Sequence, residues 1–277
     1  MRVLGFIIQT LTVGSFGVEQ AWAMAASAPG KLLVLGGSGF VGSEVTRIAT
    51  EHGLAVTALS RRGGGPENFE LPERVEFRRG DASDPTVVAS ILGEGGYVGI
   101  IHTIGMLVPN SLNRFFSGSG SVPDPGATFD VVTRQTAVVA ATALSEVAGQ
   151  EKLPFVFVSA AEAGWKYDVF KGTPAHFLHD YLVAKKAVES HLMESSPKLR
   201  PVILRPSLVW STSRPAALPA VAAFTLGNAL GLPFVDKPVS VETLATAAVA
   251  GLLDGNVRGI HNWKAMEELA GTCSPGP

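Results

Sequence analysis

Cysteine is nearly absent. Cys273 is the single one in 277 residues, so no intrachain disulfide can form and no cysteine metal cluster is available. The six histidines include no pair at metalloprotease spacing. Charge is almost balanced: 22 Lys and Arg against 24 Asp and Glu leave a net of −2, with a pI near 6.3, which gives nucleic acid no electrostatic footprint. An uninterrupted apolar span is missing too. The charge-free run Pro215–Val235 has the length of a membrane crossing, but Pro215, Pro219 and Pro233, two glycines and Asn228 break any continuous helix. It reads as core packed over a C-terminal lobe, ahead of the alternative, an apolar surface facing a membrane or a lipid-like substrate.

Residues 1–30 stand apart. Arg2 precedes an apolar stretch, Val3–Val13, and small residues follow at Ala21–Ala28. That pattern is a leader's, secretory or organellar, more than a folded element's, and an extension of no special role is the alternative. Acidic residues are absent before Glu19, as in a mitochondrial presequence, although one Arg and almost no Ser make it atypical.

What is present begins with Lys31–Gly42, KLLVLGGSGFVG. A short apolar run stops at paired glycines, and a helical pattern follows directly. Three glycines at this spacing arise by chance about 0.4 times in a chain this rich in glycine, so context decides. The context is a buried strand, a tight turn and a helix N-terminus. Gly36, Gly39 and Gly42 allow the turn, the approach of a pyrophosphate and close helix packing, with Gly37, Ser38, Phe40 and Val41 completing the loop. The helix dipole and free N–H groups then face the phosphates.

The end of the second strand, Val56–Ser60, selects the cofactor in such a fold. An acid there would hold a ribose 2′-hydroxyl, and arginine a 2′-phosphate. The chain has Ser60, Arg61 and Arg62, with no acid until Glu67. NADP(H) is therefore favoured over NAD(H), against two solvated loop arginines as the alternative. Asp81, after a third strand Val75–Arg78, is placed to accept from an adenine amino group or to make a turn. Asp84–Pro85 reads as a helix cap followed by proline at the first helical position. Thr103 and Gly105, after a fourth strand Tyr97–Thr103, should line the cofactor crevice. His102 reads as a core residue.

Asn110–Thr128 is a Gly/Ser/Pro-rich insertion, and Phe129–Val147 a helix whose buried face includes Val131, Val132, Thr136 and Val139. After a fifth strand, Phe155–Ser159, comes DYLVAKKAVE, residues 180–189. Tyr181 and Lys185 lie four apart and share a helix face, where a lysine can lower a phenol's pKa and bond a nicotinamide ribose. A sixth strand, Pro201–Arg205, precedes the charge-free run. Ser240 caps a helix Val241–Leu253, Gly259–Asn262 is extended, Ala265–Ala270 is a last helical turn, and 271–277 read as a disordered tail.

With GGSGFVG, the Tyr181/Lys185 pair, LRP at Leu204–Pro206 and PVSVETLATAAVAGL in place, the chain resembles the extended and atypical short-chain dehydrogenase/reductases, from about Lys31 to about Leu269. HTIGML, FVSAAEAG and RPSLVW are similar to one branch, which holds the mitochondrial ubiquinone-biosynthesis protein of this type and plant organellar relatives. The nucleotide-binding accessory subunit of respiratory complex I is a more distant relative.

The resemblance implies an α/β fold: a Rossmann-type doubly wound parallel sheet over residues 31–270, with a small C-terminal α/β substrate lobe at about 206–270. It implies the phosphate, 2′-phosphate and adenine roles above, with Tyr181 as acid/base and Lys185 as its electrostatic partner. It also implies a quinone-like or isoprenoid substrate, a peripheral membrane or protein-complex partner, and the matrix side of the mitochondrial inner membrane, with a chloroplast as the alternative. Two departures stand out. Ser159 is one place early for the hydroxyl that holds substrate oxygen, and Ala160 occupies that place. Thr133 stands near the position of the family's helix asparagine. Losing the hydroxyl removes about 2–4 kcal/mol of transition-state stabilisation, so both an NADPH-dependent oxidoreductase and a nucleotide-binding accessory protein follow.

Overall fold

The computed structural model describes residues 30–65, 74–106, 127–165, 176–195, 197–213, 218–232 and 235–273. The leader stretch and all but the end of the Asn110–Thr128 insertion lie outside them.

The glycine-loop strand is the third of seven in a parallel sheet. β1 (Lys31–Leu35), β2 (Ala55–Ser60), β3 (Val75–Arg79), β4 (Tyr97–His102), β5 (Leu153–Val158), β6 (Leu199–Leu204) and β9 (Gly259–His261) pair in the order β3-β2-β1-β4-β5-β6-β9. A separate two-stranded parallel pair, β7 (Val209–Trp210) with β8 (Val239–Ser240), lies beyond β6 in sequence. This is the expected doubly wound architecture.

The inner strands β1, β4, β5 and β6 are largely apolar on both faces because helices cover both, whereas the edge strand β3 carries Glu76, Arg78 and Arg79. Along β1 the side chains alternate. Leu32 and Val34 pack with Val45 and Ile48 of α1 (Phe40–Glu51) and with Leu244 and Val249 of α6 (Val241–Leu253). Leu33 and Leu35 join Val88 and Leu92 of α2 (Pro85–Gly93), Ala140 and Leu144 of α3 (Thr136–Val147), and Val188 and Leu192 of α4 (His176–Glu194). Caps match the sequence signals. Asp84 accepts from the Thr86 amide at 2.8 Å with Pro85 opening the helix, Ser240 accepts from Thr243 at 3.0 Å, and Gly53 ends the first helix at φ +80°.

Three elements depart from the sequence reading. The helix expected from Phe129 starts instead with a π-helical turn, Asp130–Gln135, before α3. A π turn holds one more residue than an α turn, so it rotates the face: Val131 points outward and Thr133 is fully buried. The last helix, α7 (Trp263–Thr272), is longer than a single turn because Asn262 caps it, accepting from Ala265 at 3.2 Å. It takes in Gly271 and Thr272 from the stretch read as tail. The third departure is α5 (Leu218–Ala229), inside the run read as core: it lies on the surface, with Leu226 61% exposed and Leu230, just past its end, 68% exposed. Apolar content alone does not bury a segment; a covering element must exist, and among the described residues none lies over it.

Candidate functional site

The loop after β1 is held shut by backbone that leaves no room for side chains. Gly36 adopts φ +85°, and its carbonyl accepts from the Gly39 amide at 2.8 Å. A Cβ on Gly42 would lie 2.2 Å from that same Gly36 oxygen and 2.8 Å from the Thr103 hydroxyl. At Gly39, by contrast, an added Cβ would meet only the Gly36 oxygen, at 3.1 Å, so a ligand approaching there meets backbone. Gly39 is the N-cap of α1 and supplies no side-chain hydrogen bond to it. The first-turn N–H groups and the positive end of the helix dipole therefore fit the pyrophosphate of a dinucleotide. Ser38, Phe40 and Val41 lie between these glycines, while a Cβ on Gly37 would meet Ala58 of β2 at 2.6 Å.

Because all the strands are parallel, the ends of β2 and β3 open on the same edge. Ser60 accepts from the Gly63 amide at 3.0 Å through its hydroxyl and from the Gly80 amide at 3.0 Å through its carbonyl. Arg61 and Arg62 are exposed on the turn so formed. Asp81 is exposed as well, and its carboxylate accepts from the Ser83 amide and hydroxyl, both at 2.8 Å. It makes a turn here, the rival of its adenine role.

The β4 end ties the glycine loop to the Tyr-Lys helix. Thr103 donates from its hydroxyl to the Leu35 carbonyl at 2.8 Å, beside Gly36 and Gly42. Two residues on, a Cβ on Gly105 would sit 3.5 Å from the Lys185 ammonium. Lys185 is 3% exposed, donates to the Val158 carbonyl at 2.7 Å and lies 4.8 Å from the Phe157 ring centroid and 5.8 Å from that of Tyr181. Burial pulls its pKa down to about 7, against the pull of the Glu189 carboxylate. Tyr181 packs edge-on against Phe129 at 5.8 Å, beside Met106 and Ala184. Burial first, then the charge of Glu162, push its phenol well above the ordinary value.

Ser159 is turned away from this pair. Its hydroxyl donates to Glu189 at 2.7 Å, and Glu189 also holds Arg205 through two bonds, at 2.9 and 2.6 Å. Ser159 is thus a ligand of a buried ion pair, and Ala160, which follows it, offers no hydroxyl. His102 is fully buried, bonded to the Thr136 hydroxyl at 2.9 Å, and held neutral with its pKa pulled down to about 3 by burial and by Lys185. That is a core histidine. Among the described residues, no group of three His, Cys, Asp or Glu side chains could hold a metal.

The sequence reading missed two groups. Glu189 falls one helical turn after Lys185, so the spacing that paired Tyr181 with Lys185 extends to it. Glu162 sits in a short 3-10 turn, Ala161–Gly164, after β5; burial and then Asp236 raise its carboxyl. No spacing signal marks it, because the turn takes its position from the Ala161 amide bonding the Pro206 carbonyl at 2.8 Å.

The glycine loop, the β4 strip and α4 all lie within residues 36–254, which match the family model described as NAD(P)H-binding. The chain belongs to the NAD(P)H-binding family. Relatives of this NAD(P)H-binding chain include MIOREX complex component 2 of Saccharomyces cerevisiae, 26% identical over 222 residues, covering 68% of this chain and 76% of that one. A UDP-glucose 4-epimerase of Corynebacterium glutamicum is 39% identical over 72 residues, only 26% of this chain and 21% of the relative.

Among solved structures, the Bordetella bronchiseptica enzyme WbmH in complex with NAD+ superposes with a TM-score of 0.58 at 18% identity, over 85% of this chain and 76% of that one. The Thermus thermophilus UDP-glucose 4-epimerase with NAD gives 0.57 at 22% identity, over 89% and 84%. At these identities the structures establish the NAD(P)H-binding chain's fold alone, a Rossmann-like α/β sheet.

Proposed function

We propose that this chain is an NADP(H)-binding accessory protein of mitochondrial ubiquinone biosynthesis, working at the matrix face of the inner membrane. The strip Thr103–Ile104–Gly105 carries the reading, since it touches the glycine loop at one end and Lys185 at the other. Gly36, Gly39 and Gly42 hold the pyrophosphate, Ser60, Arg61 and Arg62 the 2′-phosphate, and Lys185 the nicotinamide ribose. A nicotinamide bound there would supply a hydride. Three observations favour an accessory role over turnover: Ala160 lacks the substrate hydroxyl, Ser159 is committed to Glu189, and the Tyr181 phenol is raised where a proton donor needs it lowered. The likeness to a component of a multiprotein complex supports the same side. The resemblance to the ubiquinone branch supplies the pathway and the organelle.

A second reading is an NADPH-dependent reductase of a quinone-like or isoprenoid substrate. Tyr181 favours it, standing one turn from Lys185 beside the crevice.

Fluorescence titration tests the cofactor. NADPH should bind at least about tenfold tighter than NADH, and Arg61→Ala/Arg62→Ala should remove the difference, since each charge-assisted contact contributes about 1.5–3 kcal/mol. Equal affinities in the unaltered chain would defeat the NADP(H) assignment. Tyr181→Phe then separates the two roles. In cells lacking the native protein, the accessory role predicts undiminished ubiquinone content with this variant, whereas the reductase predicts its loss; NADPH affinity should stay within about twofold in both.

A further inference from the structure

We propose that Glu162 is the specificity residue of the crevice beside Tyr181, its carboxylic acid donating a hydrogen bond to a carbonyl oxygen of a flat, quinone-like ligand. This rests on the quinone-like ligand and the nucleotide site proposed above, and adds the group that recognises the ligand. It concerns binding, with no hydride transferred.

Glu162 lies in the turn Ala161–Gly164 directly after β5, at the carboxyl edge of the sheet on which the glycine loop also opens. Its neighbours Ala161 and Ala163 are buried, whereas Glu162 is half-buried and keeps contact with solvent. One dipeptide pins the place from two sides. The Pro206 carbonyl accepts from the Ala161 amide at 2.8 Å, and the Ser207 hydroxyl donates to the Asp236 carbonyl at 3.2 Å. The charge of Glu162 acts on Tyr181 of α4, and that of Asp236 acts on Glu162.

A carboxylate in such a place ordinarily acquires a cation or several N–H donors. Among the described residues, no other residue hydrogen-bonds or ion-pairs the Glu162 carboxyl. The cations of the site are engaged elsewhere. Arg205, whose guanidinium would lie 2.9 Å from a Cβ on Gly164, is held by Glu189, and Lys185 donates to the Val158 carbonyl. Burial and the charge of Asp236 both favour the neutral acid. A neutral carboxylic acid has an O–H to give, and in a site poor in water its natural partner is a carbonyl oxygen. Ala160, two residues earlier, supplies no hydroxyl for that oxygen, so the acid takes over the contact. The Tyr181 ring, edge-on to Phe129 beside Met106, offers a flat ligand an apolar wall.

Calorimetric titration of the full chain with tetramethyl-1,4-benzoquinone tests the proposal, run with saturating NADP+, which has no hydride to give, and again without nucleotide. The protonated acid is the donor, so affinity should be highest at pH 5.5 and fall at least about tenfold by pH 8.5. Glu162→Ala should bind at least about tenfold more weakly at pH 5.5 and be indifferent to pH. Glu162→Gln, whose amide donates at any pH, should bind within about threefold of the unaltered chain at pH 5.5 and hold that affinity at pH 8.5. Asp236→Asn removes the neighbouring charge and should move the fall to lower pH. Lys185, its pKa pulled down to about 7, also titrates in this range. A fall that persists in Glu162→Gln would belong to Lys185 and overturn the assignment. So would unimpaired binding by Glu162→Ala, binding that tightens as pH rises, or loss of NADP+ affinity in Glu162→Ala alone, which would make Glu162 a residue of the fold. A chain that takes NADP+ but no quinone would overturn the ligand class with it and leave the nucleotide site standing. Failure of NADP+ to bind any of these proteins would instead strike the nucleotide site, and the titration without nucleotide would still read Glu162.

Discussion

Gly42→Ala should abolish measurable NADPH binding. The added methyl would stand 2.2 Å from the Gly36 carbonyl oxygen and 2.7 Å from its carbon, both backbone, and no rotamer can relieve that. Either α1 backs away from β1 or the turn opens, and both displace the amides meant for the pyrophosphate. Overpacking of this kind costs about 1–3 kcal/mol of fold stability, and lost phosphate contacts of at least about 2.7 kcal/mol correspond to a hundredfold in affinity. Gly53→Ala is the matching control. Unlike the helical Gly42 it sits at positive φ, +80°, and with nothing within 4 Å of the new methyl. It should cost about 1 kcal/mol of stability through backbone strain alone and leave affinity untouched. NADPH fluorescence together with urea denaturation reads both effects, and near-normal affinity in Gly42→Ala would remove the pyrophosphate from this loop.

Glu189→Ala should cost about 3–5 kcal/mol of stability, the usual toll of leaving one partner of a buried ion pair alone. Glu189 is 2% exposed and receives Ser159, both donor faces of Arg205 and, at 3.8 Å, Lys186. Alanine leaves the Arg205 guanidinium, which Glu189 keeps firmly protonated, facing an apolar gap. Glu189→Gln keeps the shape and loses only the charge, so its loss should be roughly 1.5–3 kcal/mol. Glu189→Met/Arg205→Met removes both charges and should recover most of the stability lost in Glu189→Ala. If Glu189→Ala unfolds at the normal urea concentration, the pair does not anchor α4 to the sheet. The pair also explains why Ser159 does not serve substrate oxygen: a carboxylate 2.7 Å away outcompetes any neutral acceptor for that proton.

The sheet was legible in the sequence because a parallel strand buried on both faces reads as an unbroken apolar run, and each run here ends at a residue with a physical reason to stop it. Gly36 turns the chain after β1, Gly53 ends α1, and Pro85 and Ser240 mark helix starts. The π turn at Asp130–Gln135 was not legible, since its extra residue is a property of backbone hydrogen bonding and leaves the apolar pattern intact up to Val132. α5 was misread for the opposite reason: its composition is that of a core helix, and only the absence of a covering neighbour among the described residues marks it as surface. At the site, glycine spacing and Tyr181/Lys185 could be read because they are local. Arg205 with Glu189, and Glu162 with Tyr181, are brought together by the ends of different strands and a helix between them, and no local spacing encodes that.

The strand order also bears on how the molecule is made. From β2 onward, each strand of the main sheet pairs with one that precedes it in the chain: β2 on β1, β3 on β2, β4 on β1, β5 on β4, β6 on β5 and β9 on β6. During synthesis every arriving strand therefore finds its docking edge already present, and no strand has to wait for a later one to complete an inner position. The sheet grows outward from β1, first one way and then the other. Unpaired backbone is confined at each stage to the two outer edges, where a half-made chain is most at risk of joining the wrong neighbour.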